Sequence, residues 1–389
     1  MRILHVIHRL DREAGGTTAL AVSMCEALAA RGHNVSLYSL NRKTQGSTFL
    51  PENAGFHVRL FEPDLGPLAF AVDMMRAFRM EMSSFDFLHS HMLYRLPQAF
   101  ACHFARSVGV PYCVQPHGAL EPILFHKRKR RYAKRLYEAA IENRNLRRAT
   151  GLIYTTEGER DAASFLHLPP PAHIVPAGIN FAEYQADADI EGFKTRHRLV
   201  GRDVILWMGR IAQVKALPVL IEAFVQLAQN NPRVSLVIAG PDQDGERPSL
   251  EKRLHQAGFR DRAVFTGMIH ADEKLAALKA AKLFVLPSYT ENFGISAMEA
   301  MAAGCPVIVS DNVKIAPGII AAGAGLVAPV EATELASAMH FLLRDPTRLA
   351  KMGKSAIQLA AGHDWSAVAE RLEGIYQTMI RAHAGRSGS

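Results

Sequence analysis

Two glutamates, Glu291 and Glu299, lie eight positions apart and flank the start of a predicted helix. A buried strand ends at Leu286, a loop follows, and the helix begins near Gly294 or Ile295. Ligands of doubly wound α/β sheets bind at the carboxyl ends of the strands, and the free amides of a helix start suit an anion such as a diphosphate. Carboxylates beside such a site can accept hydrogen bonds from sugar hydroxyls. The competing interpretation is a solvated glutamate and a second glutamate on a helix face.

Two cations follow an earlier strand of the same half of the chain. Arg210 comes directly after Met208 and Gly209, and Lys215 lies five residues beyond the arginine. Cations in this position can neutralise a diphosphate leaving group, the task that a divalent metal performs in other enzymes. Taken alone, such a pair is more often ordinary surface charge.

The first half of the chain contributes weaker candidates. Gly15 and Gly16 follow the first strand, where glycine permits a tight turn and a close approach of phosphate. His117 precedes Gly118 at the carboxyl end of another strand. A glycine pair is usually only a turn, and a lone histidine is usually structural. The spacing of the neighbouring histidines does not compel a metal site; these are His89, His91 and His103.

The elements that must position these residues form two successive α/β patterns. The first begins with a strand at residues 3–7 and a helix at 17–31, and the second begins with a strand at 204–208. Alternating strands and helices predict parallel sheets covered on both faces, here in two Rossmann-like domains. We expect a first domain at 1–180, a linker at 181–202, a second domain at 203–364, and a helix at 365–384 that packs back on the first domain.

The composition and the charge bound the class of protein. The chain has 389 residues, 49% of them apolar and 21% charged, which suits two packed globular domains. Four scattered cysteines form no CxxC pair, which favours a reducing compartment. The N-terminus lacks a signal-peptide pattern, and no apolar run reaches the roughly 18 residues of a membrane span. We therefore expect a cytoplasmic location, with peripheral contact to the inner face of the membrane as an option.

The net charge of +8 is concentrated in one segment, Lys127 to Arg148, where ten Lys or Arg residues oppose two glutamates. The segment predicts a helix with a basic surface. Its functional interpretation is contact with an anionic membrane or with the diphosphate of a lipid-linked acceptor, and its competing interpretation is a solvated helix face. No aromatic stacking array or nucleic-acid-binding motif accompanies it, so we do not expect nucleic acid as a partner.

The string from Ser288 to Val307 resembles the E-x7-E motif of the retaining glycosyltransferases of family 4. These enzymes have the GT-B fold, in which two Rossmann-like domains face each other. The resemblance covers essentially the full length of the chain and is strongest from Val204 to Pro329. Two departures are visible: Ala216 stands where the family usually has glycine after the lysine, and the interdomain Pro-Asn-Gly-Val-Asp is Val175-Pro-Ala-Gly-Ile-Asn180 here.

The resemblance implies a role for each candidate residue. Glu291 and His117 would face the donor sugar, and Glu299 would hold the ribose hydroxyls. The diphosphate would be held by the positively charged and glycine-rich positions and by the amides of the helix start: Gly15, Gly16, Gly209, Arg210, Lys215, Gly294 and Ile295. Phe293 would also belong to the donor site. Gly240 and Met268 would belong to the pocket for the nucleotide base. The donor would be a UDP- or GDP-sugar, and no further cofactor is implied.

The resemblance also implies retention of anomeric configuration and no metal requirement. Asp187-Ala-Asp189 and Asp242-Gln-Asp244 mimic the DxD metal motif of another glycosyltransferase fold, but short acidic pairs are common. We expect no metal ligand among them.

For the acceptor, the stretch from Pro116 to Arg148 resembles bacterial enzymes of exopolysaccharide or lipopolysaccharide assembly. We therefore expect a hexosyl- or N-acetylhexosaminyltransferase that acts on a saccharide, carried on polyprenyl diphosphate, in cell-surface polysaccharide biosynthesis. One alternative is an enzyme that makes a soluble small-molecule glycoside. Another is a non-catalytic, membrane-associated protein that binds sugar nucleotides.

Overall fold

The computed structural model describes residues 1–10, 16–40, 50, 54–64, 71–121 and 141–387. The chain divides into two compact units: residues 1–178 with 365–389, and residues 179–364. Each unit is an α/β structure built on one parallel sheet.

The first unit contains seven strands that are hydrogen-bonded in the order β3-β2-β1-β4-β5-β6-β7. Its strands are β1 Arg2–Arg9, β2 Asn34–Leu40, β3 His57–Phe61, β4 Phe87–His91, β5 Tyr112–Gln115, β6 Gly151–Tyr154 and β7 Ala172–Ile174. Its helices are α1 Gly16–Ala30, α2 Val72–Glu81, α3 Leu96–Ser107, α4 Asn143–Arg148 and α5 Glu157–Ala162. β1 and β4 are buried along nearly their whole length, as strands covered by helices on both faces must be.

The second unit contains six strands in the order β10-β9-β8-β11-β12-β13. Its strands are β8 Asp203–Met208, β9 Val234–Ala239, β10 Ala263–Gly267, β11 Ala281–Leu286, β12 Val307–Ser310 and β13 Gly325–Ala328. Its helices are α6 Phe181–Gln185, α7 Ile190–Arg196, α8 Leu217–Gln229, α9 Arg247–Gln256, α10 Ala271–Ala280, α11 Ile295–Ala302, α12 Ala316–Ala322, α13 Ala332–Leu343 and α14 Pro346–Ala361.

Both sheets reverse their strand order at one point, between β1 and β4 in the first unit and between β8 and β11 in the second. The order 3-2-1-4-5-6 is that of a Rossmann fold, whose ligands bind outside the carboxyl ends of the strands at the reversal. The expectation of two Rossmann-like domains with parallel sheets is confirmed.

The chain ends in a long helix, α15 Trp365–Ser387, which belongs to the first unit and packs against α1. Val368, Leu372 and Met379 are buried, as the helical period predicts. Tyr376 is also fully buried and stacks on Phe87 with ring centroids 4.4 Å apart, so it shares the buried face with those apolar residues. The apolar face therefore closes the core of the first unit.

The segment expected to be a linker, 181–202, is structured. It contains α6 and α7, both of which belong to the second unit. The absence of a long apolar period concealed them, because helices of five and seven residues bury only one large side chain each, Tyr184 and Phe193. The change of unit comes instead between Gly178 and Ile179.

Within the described residues, no helix is both long enough and apolar enough to cross a membrane. Two predictions fall wholly or partly outside those residues: Gly15, and residues 127–140 of the basic segment.

Candidate active site

The main candidate site lies at the carboxyl ends of β8 and β11, where the strand order of the second sheet reverses. Arg210 and Lys215 follow β8, and the loop that carries Glu291 follows β11. The backbone of Tyr289 joins the two segments, since its amide donates to the carbonyl of Val214 at 2.9 Å. The fold thus brings together two groups of residues that are separated by about 80 positions in the sequence.

The Lys215 ammonium donates to Glu291 Oε2 in an ion pair that is largely shielded from solvent, with 17% and 20% of the two side chains exposed. A salt bridge in this partly buried setting is screened less than one on the surface. The pair places one positive and one negative group side by side next to the start of α11. Such an arrangement can hold a phosphate on one side and a hydroxyl on the other.

Gly294 is the residue that precedes α11, and its backbone is left-handed, with φ +85° and ψ +53°. A Cβ here would come within 3.2 Å of Val313 and 3.3 Å of Leu286, so glycine is favoured by its dihedral angles and by its surroundings. The first amides of a helix have no partner inside the helix. Those of Ile295 and Ser296 are therefore available to an anion.

Glu299 lies on α11 and is oriented by two neighbours from other helices. Its Oε1 accepts hydrogen bonds from the Tyr184 hydroxyl at 2.9 Å and from the Lys274 ammonium at 3.0 Å. Lys274 also lies over the Tyr184 ring, 5.3 Å from its centroid. Burial, reinforced by the Glu299 carboxylate, raises the pKa of Tyr184 and keeps it a donor. Glu299 Oε2 has no partner among the described residues and can accept from a ligand.

Glycine is required where β8 and β9 end side by side. Gly240 has φ +142°, and a Cβ there would lie 1.7 Å from the carbonyl oxygen of Gly209. The Gly240 amide donates to Gly267 at 2.8 Å, so the ends of β8, β9 and β10 meet closely. Met268, which follows β10, is 57% exposed.

Arg210 is exposed at this edge, and its Nη1 donates to Gln243 Oε1 at 2.6 Å. The neighbouring aspartates serve the backbone. Asp242 accepts from the amides of Glu246 and Arg247 at 2.9 and 3.2 Å, and Asp244 accepts from the Gln213 amide. Their carboxylates thus stabilise the loops that hold Arg210.

In the first unit, His117 occupies a strained turn after β5. Its φ is +52° and that of Gly118 is +78°. A left-handed backbone costs a residue other than glycine about 1–2 kcal/mol, so the surroundings must enforce it. The enforcing group is the buried carboxylate of Glu159, which accepts from the Gly118 amide at 2.5 Å and from the amide and hydroxyl of Thr155 at 2.8 and 2.7 Å.

Two family models together cover most of the chain. The model described as glycosyl transferases group 1 matches residues 189–359, and the glycosyl transferase 4-like domain matches residues 15–178. Alpha-D-kanosaminyltransferase of Streptomyces kanamyceticus is 30% identical over 70% of this chain and 72% of its own length. The chain is a glycosyltransferase of the family 4 type.

Other similarities extend over the full length. D-inositol 3-phosphate glycosyltransferase of Frankia alni is 28% identical to the glycosyltransferase over 92% of this chain and 93% of that protein. The crystal structure of Anabaena HepE in complex with UDP and glucose covers 97% of this chain and 100% of its own, with a TM-score of 0.78 and 18% identity. At that identity the likeness shows the GT-B fold.

The structure of the glycosyltransferase groups most of the sequence-predicted site residues at the edge of the second sheet. Phe293 is buried beside the His363 ring, directly before Gly294 and Ile295. Gly16 begins α1, and Gly15 lies outside the described residues. His117 belongs to the other unit.

Sequence reasoning missed the supporting residues: Tyr184, Lys274 and Glu159. None belongs to a motif, and Tyr184 falls in the segment expected to be a linker. Tyr184 and Glu159 are revealed only by their buried positions, and Lys274 only by its contacts with Glu299 and Tyr184.

Proposed function

We propose that this glycosyltransferase moves a sugar from a UDP- or GDP-sugar to a saccharide acceptor with retention of anomeric configuration. The observation that carries the proposal is the Lys215–Glu291 ion pair beside the glycine-initiated start of α11. A phosphate-binding cation from the loop after β8 then lies beside the free helix amides and the sugar-binding carboxylate of the loop after β11. The complex of Anabaena HepE with UDP and glucose supports the same donor class.

Different residues bind different parts of the donor. Lys215, Arg210 and the amides at Gly294 and Ile295 bind the diphosphate, and Glu291 accepts from hydroxyls of the donor sugar. Glu299 Oε2 accepts from the ribose, with its orientation fixed by Tyr184 and Lys274. The base lies against Gly240 and Met268, where the missing Cβ allows close approach.

Bond cleavage at the anomeric carbon leaves an oxocarbenium-like sugar and places negative charge on the departing diphosphate. Preorganised cations and amides stabilise that charge without reorganisation. The acceptor hydroxyl attacks the face that the diphosphate leaves, and the leaving phosphate takes its proton. We propose that no divalent metal is needed, because the arginine, the lysine and the helix amides supply the positive charge.

Two acceptor classes are supported by different observations. The basic segment Lys127–Arg148 favours a saccharide on polyprenyl diphosphate at an anionic membrane, and so a role in cell-surface polysaccharide synthesis. The similarity to an alpha-D-kanosaminyltransferase and to a D-inositol 3-phosphate glycosyltransferase favours a soluble acceptor. We propose the lipid-linked saccharide as the first candidate and the soluble glycoside as the second.

The donor is tested first. Thermal denaturation with UDP, GDP and ADP should raise the midpoint with one nucleotide, because a ligand at 100 times its Kd stabilises by about 2.7 kcal/mol. Transfer from the matching sugar nucleotide should continue in EDTA and should stop in Glu291→Ala. No stabilisation by any of the nucleotides, together with no transfer, would refute the donor assignment.

The acceptor and the stereochemistry need separate assays. Wild type and a variant with Lys/Arg→Glu changes at 127–131 are compared on a polyprenyl-diphosphate saccharide and on a soluble aminocyclitol. Loss of transfer and of liposome flotation in the variant supports the lipid-linked class. Full transfer to the soluble acceptor by both proteins supports the second class. A β-linked product from an α-linked donor would overturn retention.

A further inference from the structure

Three histidines form a hydrogen-bonded chain at the point where the first sheet reverses its strand order. His5 lies on β1 and His91 at the end of β4, and both are fully buried. His5 Nδ1 lies 2.9 Å from His91 Nε2, and His91 Nδ1 lies 3.1 Å from His117 Nε2. The chain therefore runs from the interior of the sheet to the half-buried histidine of the strained turn.

The rings of this chain meet edge to edge. The centroids of His5 and His91 are 5.2 Å apart with 24° between planes, and those of His91 and His117 are 5.3 Å apart with 22° between planes. In each pair, the distance between the ring centroids exceeds the N···N distance by about the width of one imidazole ring. Nearly coplanar rings at that spacing have their nitrogen lone pairs and N–H groups in line, which is the geometry of a good hydrogen bond.

All three imidazoles are held neutral. Burial lowers the pKa of His5 and of His117 to about 3, and burial lowers the pKa of His91 well below its ordinary value. A neutral imidazole has one N–H and one bare nitrogen, so each ring in the middle of a chain donates on one side and accepts on the other. The direction of hydrogen-bond donation at one end of the chain therefore fixes the tautomer of every ring.

The buried end of the chain selects that direction. His5 Nε2 is buried and has no hydrogen-bond partner in the described part of the protein. A buried donor is rarely left unpaired, so this nitrogen is the bare one. His5 then donates from Nδ1 to His91 Nε2, and His91 donates from Nδ1 to His117 Nε2. His117 is left with its proton on Nδ1, for which the described residues provide no acceptor.

A metal ion is a poor alternative occupant of this cluster. Nitrogens of His5, His89 and His91 lie within 4.8 Å of one another. However, the rings of His89 and His91 stack, with centroids 4.1 Å apart and 16° between planes. A metal lies in the ring plane of each ligand, about 2.0–2.1 Å from the nitrogen for zinc. Two stacked planes do not meet at that distance.

We propose that His5 and His91 are positioning residues that hold His117 as the Nδ1–H tautomer, so that it presents a hydrogen-bond donor to a substrate oxygen. The substrate part of this inference rests on the proposed function; the tautomer does not. Tautomer control of this kind is costly to lose: asparagine in place of the aspartate of a Ser-His-Asp triad gives the wrong tautomer and lowers kcat about 10⁴-fold.

An isosteric pair of variants tests the direction of the chain. In His5→Asn, the amide Nδ2 reaches about the position of the imidazole Nδ1 and still donates to His91. In His5→Asp, the carboxylate accepts from His91 Nε2, which reverses both hydrogen bonds and moves the His117 proton to Nε2. Long-range ¹H–¹⁵N spectra of histidine-labelled protein report the tautomer, and His117→Asn assigns the signal.

The expected result is an Nδ1–H signal for His117 in wild type and in His5→Asn, and an Nε2–H signal in His5→Asp. Transfer should stay within about twofold in His5→Asn and fall at least about tenfold in kcat in His5→Asp, with KM less affected. His89→Asn, which removes a buried imidazole outside the chain, should leave the His117 signal unchanged.

An Nε2–H signal for His117 in wild type would overturn the proposal, and that measurement does not depend on whether the Asp variant folds. The same tautomer in both folded variants would also overturn it. Since the spectra need no substrate, a protein that shows the Nδ1–H signal but transfers no sugar would refute the proposed function and leave the histidine chain standing.

Discussion

At the scale of single residues, Glu291 and Glu299 occupy different surroundings, so their substitution should affect catalysis and nucleotide binding differently. Glu291 pairs with Lys215, beside the start of α11, whereas Glu299 is held by Tyr184 and Lys274. We expect Glu291→Gln to lower kcat at least about tenfold and to change the Kd for the nucleoside diphosphate less than about threefold. Glu299→Gln should instead raise that Kd about tenfold, the value of one charge-assisted hydrogen bond.

Steady-state kinetics and calorimetric titration with the free nucleoside diphosphate separate these two effects. Glu222→Gln is the matched control, because Glu222 is an exposed carboxylate on α8 of the same unit. Equal effects on kcat and Kd from both site variants would show that the two glutamates do not have separate roles.

Glu159 provides a second test at this scale. Its two oxygens accept three hydrogen bonds in a buried site, so an amide in the same place turns one acceptor into a donor that faces another donor. We expect Glu159→Gln to destabilise the first unit by about 2–3 kcal/mol. It should also lower kcat by releasing the His117 turn. Urea unfolding measures the first effect, and unchanged stability would mean that the carboxylate does not hold the turn.

At the scale of elements, Ala216 shows what a departure from the family pattern costs. It adopts φ +52° and ψ +34° before α8, where the family usually has glycine, and it is fully buried. Glycine would relieve about 1–2 kcal/mol of left-handed strain. It would also lose about 0.8 kcal/mol of methyl burial and add up to about 1 kcal/mol of unfolded-chain entropy. These terms cancel, so Ala216→Gly should change stability by less than about 0.5 kcal/mol.

The control is Ala223→Gly, at an equally buried position inside α8. Here no strain is relieved, and the lost methyl and the poorer helix propensity together should cost about 2 kcal/mol. Urea unfolding of the two variants gives the comparison. Similar costs at both positions would show that the left-handed backbone of Ala216 stores no strain.

The elements also show how far the sequence could predict the site. The helix start at Gly294 follows from local signals: a strand end, a loop and a motif within about 20 residues. The contacts of Tyr184 and Lys274 with Glu299 join positions 115 and 25 residues away, and no local pattern encodes such distances. The histidine chain is hidden for the same reason, since the adjacency of β1 and β4 is a property of the topology.

At the scale of the whole molecule, the two units should respond differently to acid. The buried histidines of the described residues all belong to the first unit: His5, His8, His89 and His91. Burial lowers the pKa of His5 to about 3 and the pKa values of His89 and His91 well below the 6.5 of an unfolded chain. The unfolded state therefore binds more protons, and the first unit loses stability as the pH falls from about 6.5 toward 3.

His117 also belongs to the first unit, and burial lowers its pKa to about 3. Each of these four histidines, His5, His89, His91 and His117, should contribute about 1 kcal/mol of destabilisation between pH 7 and pH 5.5, so the first unit should lose about 4 kcal/mol. The two tryptophans separate the signals, because Trp365 belongs to the first unit and Trp207 to the second. Urea unfolding followed by fluorescence in Trp207→Phe therefore reports the first unit, and Trp365→Phe reports the second.

Adding His5→Asn to the Trp207→Phe protein should reduce the pH dependence by about 1 kcal/mol, because one neutral buried imidazole has been removed. A first unit as insensitive to pH as the second would contradict the assignment of neutral histidines to its core.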